Sequence, residues 1–528
     1  RPTAFMVGAF FVVPLGLVAW MSLHRWPLLG VPSLNAPANY TGSTGDTLLT
    51  DAAWFTARYT VIITVLLFTT ALGMALLVQR KRPGTGLFRT AFFLPAAVGF
   101  ASASLLFLGL LSAEIGPFGG VVSVSGSATT ALGAAILLVL WRFAGFNMLI
   151  LLTGLQAIPT EVYEAAKLDG AGRWQTFTHI TLPLLRATIA LVLTLIVTGS
   201  LLAFDQFWIL TRGGPDNSTT SLVMVIYRKA FIELDLGSAA AVSVVLLIVL
   251  VAVSLVQLAV LRDRSAREDP APRHRWRARR PLPVPAAVER LRLTPYPRWL
   301  RLENYARLFT DDSGIRGYHV LNSLTVAALT VGGTLLVATL GGYAFGRFEF
   351  PGRDALFLVT LAILMVPYAT ILIALYVLLG WIGLQDSLLG LSLVLIMFQL
   401  PFAIFMMRNS FAAVPRELEE SAQVDGASSL GVLLRVMLPA VRPGLVTVAL
   451  FAFLSSWSEF FAPLILLNST DRFTMTLAVV NMRTATFGAI DYAALEAGVT
   501  LMAVPCLLLF MVLQRSYVRG FMSGALRG

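Results

Sequence analysis

Charge and cysteine are scarce in this sequence. Of its 528 residues only 13% are Asp, Glu, Lys or Arg, about half of the roughly 25% that a soluble domain carries. So few charges cannot cover a water-exposed surface of this size, which argues against a soluble globular class. The single cysteine, Cys506, lies inside an apolar stretch. It has no partner in the chain, so there is no disulfide framework. Four histidines show no metal-ligand spacing, and no Ser/His/Asp arrangement stands out. No Gly-x-x-x-x-Gly-Lys-[Ser/Thr] occurs: Gly42-Ser-Thr-Gly45 and Gly84-Thr-Gly86 lack the lysine that reaches phosphates. No catalytic site and no cofactor are therefore expected in this chain.

Apolar runs are abundant, with 57% of residues hydrophobic. A bilayer crossing needs about 20 such residues. Spans read near 4–23, 58–79, 88–112, 129–156, 187–210, 238–261, 319–345, 354–380, 388–408, 443–467 and 492–514. The expectation is an all-α polytopic membrane protein with about 11 predicted helices. No small-residue cleavage pattern follows 4–23, so it reads as a retained helix. The net charge of +11 raises nucleic acid as a partner, but its distribution does not. Arg80, Lys81, Arg82 and Arg89, then Arg347 and Arg353, then Arg515, Arg519 and Arg527 cluster in a few loops. That is the signature of cytoplasmic loops beside a lipid bilayer, so no nucleic-acid partner is expected.

A polar stretch over 262–318 holds a Pro/Arg-rich run from Pro270 to Pro297, a composition that reads as linker. It divides the chain into a first half (1–261), a basic linker (262–303) and a second half (304–528). Sliding the chain by 256 residues superimposes two polar loops. Eleven of the thirty positions 157–186 are identical to their partners in 413–442, so the halves are expected to be copies of one unit.

The first loop carries Glu161, Glu164, Ala165, Ala166, Asp169, Gly170 and Ala171, then Leu182-Pro183. The second carries Glu417, Glu420, Ala422, Asp425, Gly426 and Ala427, then Leu438-Pro439. In the first, a short helix begins after Pro159 with carboxylates in its first turn, where a helix N-terminus favours them. The glycine then allows a sharp turn. Each unit reads as a charged knob suited to dock into a cleft on a soluble partner. The pattern Glu-Ala-Ala-x-x-Asp-Gly-Ala followed by Leu-Pro resembles the EAA loop of binding-protein-dependent ABC importer permeases. Trp141-Arg-Phe-Ala-Gly-Phe-Asn-Met and Leu210-Thr-Arg-Gly-Gly-Pro resemble the F-type subunit of the carbohydrate, maltose-type branch. Trp457-Ser-Glu-Phe-Phe-Ala-Pro-Leu-Ile-Leu-Leu and Gln514-Arg-Ser-Tyr-Val-Arg-Gly resemble its G-type subunit, although Ser458 stands where the G-type pattern has Asn.

The resemblance implies two tandem type I importer transmembrane domains in a bacterial cytoplasmic (inner) membrane. It implies that the knobs dock on two copies of a cytoplasmic ABC ATPase, which binds ATP and Mg. It also implies an extracytoplasmic sugar-binding protein that delivers a sugar. Another small polar solute such as a glycerol phosphate is the alternative substrate. An ion-gradient-driven carrier is the alternative class, though two docking loops have no place in it.

Ionisable groups at membrane depth are costly and usually functional. Arg142, Asp205 and Glu459 are such groups. With Asn147, Phe204, Gln206, Trp208, Trp457 and Phe460, and with Phe207 nearby, they make a candidate substrate pathway of flat apolar rings and hydroxyl-binding groups. The opposing interpretation is helix-end polar residues facing water beside an interfacial aromatic belt. Two loops on one side of a membrane need an even number of crossings between them, and five are counted. The G-type pattern has a further helix before Asn304-Tyr-Ala-Arg-Leu-Phe309. Here Pro270 to Leu300 takes its place. The expectation is a missing segment, or a shielded crossing by the linker.

Overall fold

The computed structural model describes residues 11–26, 31–79, 85–112, 116–118, 124, 126–262, 305, 308–309, 315–363, 368–483 and 491–525. The linker and its Pro/Arg-rich run, beyond Arg262, lie outside these residues. Among the described residues seven helices are long and apolar enough to cross a membrane. Two bent pairs qualify when each is taken as one span, and two apolar helices are shorter. Together these eleven account for the eleven apolar stretches of the sequence.

The first half holds α1 (Val13–Ser22), α2 (Thr47–Val78), α3 (Thr85–Ala97), α4 (Phe100–Leu110), α5 (Ala128–Ala157), α6 (Thr160–Leu168), α7 (Leu182–Leu201) and α8 (Leu236–Arg262). The second holds α9 (Gly317–Arg347), α10 (Arg353–Ala362), α11 (Tyr368–Trp381), α12 (Leu388–Ala412), α13 (Arg416–Val424), α14 (Arg442–Ser458), α15 (Phe461–Leu466), α16 (Met475–Met482) and α17 (Tyr492–Ala525). A helix satisfies its own backbone, which lipid cannot do, and side chains close several N-termini. Asp46 accepts from the Leu49 amide, Ser127 from Thr130 and Ser387 from Gly390. The stretch read as 187–210 is helical only to Leu201, and a separate turn follows at Phe207–Thr211. The stretch 88–112 is two helices at 100°, with Pro95 near the break.

Helices α2 and α5 pack together in the first half, as α9 and α12 do in the second. The ends of the bundle follow from connectivity. Helices α7 and α14 each leave an EAA loop, and the residues beyond them, Asp205 and Glu459, line one cavity. Both loops therefore lie at one end, and these residues point to the other. At that far end Lys229 pairs with Asp46 at 2.7 Å. There too His319 meets the Thr470 carbonyl at 3.0 Å, and Asn322 donates to the carbonyls of Asp471 and Phe473.

Candidate functional site

At the loop end the two EAA loops repeat the same geometry. Pro159 and Pro415 set the helix starts. Gly170 and Gly426 take φ of +76° and +84°, the left-handed conformation that glycine adopts without strain. The turn closes when the Ala171 amide donates to the Ala166 carbonyl at 2.9 Å, and Ala427 to Ala422 at 3.0 Å. Glu161, Glu164, Ala165, Asp169, Glu417, Glu420 and Asp425 are exposed; Ala166 is buried beneath, and Ala171, Ala422 and Ala427 are half-buried. A feature that sequence reasoning missed is apolar. Leu168 and Val424 are 89% and 87% exposed, and Trp174 and Leu430 are 74% and 61% exposed. Each pair is 256 residues apart, the register of the repeat, and that register was the signal available. Matched apolar side chains standing out of polar loops mark a contact surface.

The loops differ in how they are held. In the second, Glu419 accepts a short hydrogen bond from the Tyr343 hydroxyl and pairs with Arg347 at 3.4 Å. Arg347 also donates to the Val414 carbonyl at 2.5 Å, so α13 is tied to the end of α9. At the equivalent position the first loop has Tyr163, whose hydroxyl lies 3.4 Å from that of Thr181.

Further along the bundle lie two adjoining cavities. One, of about 390 Å³, is lined almost wholly by the first half, including Tyr59, Phe143, Asn147, Phe204, Asp205 and Gln206; Tyr368 alone comes from the second. The other, of about 410 Å³, joins Arg142 and Asp205 to Gln399, Ser455, Ser458 and Glu459. They share Phe100, Phe143, Phe146 and Asp205. Each is of the size that holds a small ligand. Asn147 donates to the Phe143 carbonyl at 2.9 Å, leaving its buried Oδ1 without a partner, and one carboxylate oxygen of Asp205 is in the same condition. Arg142 lies over the rings of Phe143 and Phe100, 4.7 and 5.2 Å from their centroids. Gln206 donates to the Tyr59 hydroxyl at 3.3 Å, and Gln399 to Ser455 at 2.5 Å. Unsatisfied polar atoms beside aromatic faces suit a ligand that offers both hydroxyls and apolar C–H surface.

Four of the residues singled out from sequence line neither cavity. Phe207 is buried in the core, edge-on to Phe55 and Tyr59 with ring centroids 5.0 Å apart in each pair. Trp457 donates its indole N–H to the Met502 carbonyl at 2.9 Å and is buried against α17. Phe460 is buried in the core. Trp208 stacks on Phe204 at 5.5 Å, under the Arg212 guanidinium. Above it Arg483 donates to the Leu210 carbonyl at 3.0 Å, so the second half is latched to the turn Phe207–Thr211 of the first. Tyr59, Tyr368 and Gln399 were missed. The signal in Gln399 was a polar amide in the middle of an apolar run; the tyrosines gave none, because aromatic residues are common in such helices.

Set beside known proteins, the chain matches the family "binding-protein-dependent transport system inner membrane component" twice, at residues 68–265 and 325–522. The diacetylchitobiose uptake system permease protein NgcG of Streptomyces coelicolor is 34% identical over 231 residues, covering 44% of this chain and 76% of that one. The arabinooligosaccharides transport system permease protein AraQ of Halalkalibacterium halodurans is 32% identical, over 44% of this chain and 81% of that one. The multiple sugar-binding transport system permease protein MsmF of Streptococcus mutans is 32% identical, over 47% of this chain and 89% of that one. A solved bacterial ABC transporter involved in alginate import is 21% identical over 50% of this chain and 93% of that chain, with a TM-score of 0.44.

Proposed function

The chain belongs to the binding-protein-dependent transport system inner membrane components, and from that membership we propose that it is both permease halves of an ATP-driven sugar importer in one multi-pass inner membrane polypeptide. Residues 1–261 and 304–528 are the halves and 262–303 their linker. The observation that carries this reading is the paired knobs, each showing a glycine turn and the same exposed apolar positions at one end of the bundle. Each knob docks on one copy of a cytoplasmic ATPase, which holds ATP and Mg. An extracytoplasmic binding protein presents the sugar at the far end, and alternating access passes it through the cavities around Asn147 and Asp205. The sugar class is supported by the substrates in the relatives' names and by the mix of rings and unsatisfied polar atoms in the cavities.

Co-purification with an ATPase subunit, in a ratio of two ATPases to one chain, tests the reading. A chain that transports in sealed vesicles under an ion gradient, with no ATPase present, overturns it. Uptake of labelled mono- and oligosaccharides with the cognate binding protein tests the substrate class.

A further inference from the structure

Beyond α7 the two halves meet at one turn. Helix α7 ends at Leu201, and the chain runs through Phe204 into the π-helical turn Phe207–Thr211. The turn stops at Arg212, whose φ of +54° is left-handed. A helical turn that stops leaves its last carbonyls short of amide donors. Here two of them receive a donor from the other half. Arg483, which follows α16, reaches the Trp208 carbonyl at 3.5 Å and the Leu210 carbonyl at 3.0 Å. Arg212 lies over the Trp208 ring, 4.8 Å from its centroid. Two guanidinium groups, one from each half, thus meet at Trp208.

Beneath Trp208 lies a layer of rings drawn from both halves. Phe204 stacks on Trp208 with centroids 5.5 Å apart, and meets Phe461 at 4.1 Å and Tyr227 at 5.7 Å. Phe461 in turn meets Tyr368 at 5.9 Å. Phe204 and Tyr368 line the cavity around Asn147, so the layer is a wall of that cavity. Phe461 belongs to the second half and is 1% exposed. Along the chain the order towards the far end is cavity, ring layer, then the turn gripped by Arg483. A polar solute finds no hydrogen-bond partner among packed rings, and it can pass only if they part.

We propose that Arg483 is the positioning residue of an outer gate: by holding the turn Phe207–Thr211 against the second half, it keeps Phe204 and Trp208 closed over Phe461 and shuts the cavity around Asn147 from the far end. The proposal rests on the reading of that cavity as part of the pathway. The tie is of a kind that can be released. Among the described residues no carboxylate pairs with Arg483; it holds two neutral carbonyls, and Arg212 beside it has the same charge. The side chain is half-exposed, so letting go returns the guanidinium to water and strands no buried charge.

The experiment uses the full chain with Cys506→Ser in right-side-out membrane vesicles. Ser200→Cys, in the wall of the cavity, reports opening by its rate of reaction with a small membrane-impermeant thiol reagent added on the far-end side. Ser254→Cys, buried in α8, reports general loosening. Arg483→Ala is expected to raise the Ser200→Cys rate about tenfold and to leave Ser254→Cys unchanged. Arg483→Lys keeps the charge but not the two-pronged fork, so its rise should be smaller. Phe461→Ala should raise the Ser200→Cys rate as well. Joined to Arg483→Ala it should add little, because both changes undo one closure. An unchanged Ser200→Cys rate in Arg483→Ala, a rise at both reporters, a lysine rate at or above the alanine one, or fully additive effects with Phe461→Ala would each overturn the gate. Labelling is read without transport. Unchanged labelling with sugar uptake intact therefore overturns the gate alone, and the expected labelling without uptake of any sugar overturns the sugar assignment alone.

Discussion

The arm that leaves the first EAA loop runs as one span from Arg173 to Leu201, whereas its counterpart in the second half bends by 79° between Ala440 and Arg442. Both arms carry the same leucine-proline step and the same π-helical turn, Phe177–Thr181 and Leu433–Met437. The second adds Pro443, where the first has Ala187. A second proline removes another amide donor and crowds the preceding turn, and the helix restarts. The hinged arm is the one whose knob is tied to α9 through Arg347, Tyr343 and Glu419. The comparison teaches that one repeated fold can join a loop to the bundle in two ways: by a straight rod, or by a hinge beside a clamp.

The largest expected effect leaves the two arms equal. Gly170→Val and Gly426→Val each place a β-branched residue at positive φ, a cost of about 3 kcal/mol. Each should lower substrate-stimulated ATPase activity about tenfold while the chain inserts normally. A wild-type rate in either variant would remove that loop from the coupling.

The next effect separates the arms. Arg347→Ala leaves Glu419, mostly shielded from water, with an uncompensated charge, at about 2–3 kcal/mol. Stimulation should fall and the second knob should become open to proteolysis. Tyr163→Phe in the first loop, which loses a long hydroxyl contact, should change either readout by less than about 0.5 kcal/mol. Equal losses in the two variants would sink the idea that only the second knob is clamped.

The proposed pathway is the third point of difference, because the first half supplies nearly all of the lining of the cavity around Asn147. Asp205→Ala removes an acceptor with an unsatisfied buried oxygen and should weaken half-saturation for transport by about 1–2 kcal/mol. Glu459→Ala should do less, since that carboxylate already accepts from the Ala462 amide at 3.1 Å. Trp457→Ala should lower the melting temperature and leave half-saturation unchanged, its indole being bonded within the core. A loss of affinity in the two second-half variants alone would move the sugar to the other half.

These differences show what could be read from residues alone. Length and apolarity made the eleven segments legible, because a bilayer imposes both. The knobs were legible because a glycine turn needs glycine, and the repeat displayed it twice. The bend at Val441 was readable in principle from Pro443, but Pro401 sits inside α12 without ending it, so proline position alone does not decide. The pathway was the least legible part. Trp457 and Asp205 lie in similar aromatic surroundings, and only packing aims one at α17 and the other at a cavity. Tyr368 and Gln399 reach the two cavities beside Asp205, one each, from helices of the other half, a juxtaposition of tertiary origin.

The smallest expected effect concerns the far end, where the halves tie down the matching helices α2 and α9 differently. Helix α9 is held through neutral contacts to the carbonyls of Thr470, Asp471 and Phe473. Helix α2 is held through a charge, Asp46 with Lys229. The hydrogen bond from Lys229 keeps the Asp46 carboxyl below its usual value of 3.8. A group lowered in this way binds its proton less readily folded than unfolded, so its stabilisation is complete above 3.8 and is lost as pH falls through the lower folded value. Both side chains are partly exposed, which screens the pair and limits it to about 0.5–1 kcal/mol. Asp46→Asn keeps an N-cap for the Leu49 amide and deletes only the charge. The variant should melt below the wild type at neutral pH, and the gap should close as the pH drops under 3.8. A gap that persists in acid would mean that the cap or the packing holds α2, and the contrast with α9 would then be one of shape rather than of charge.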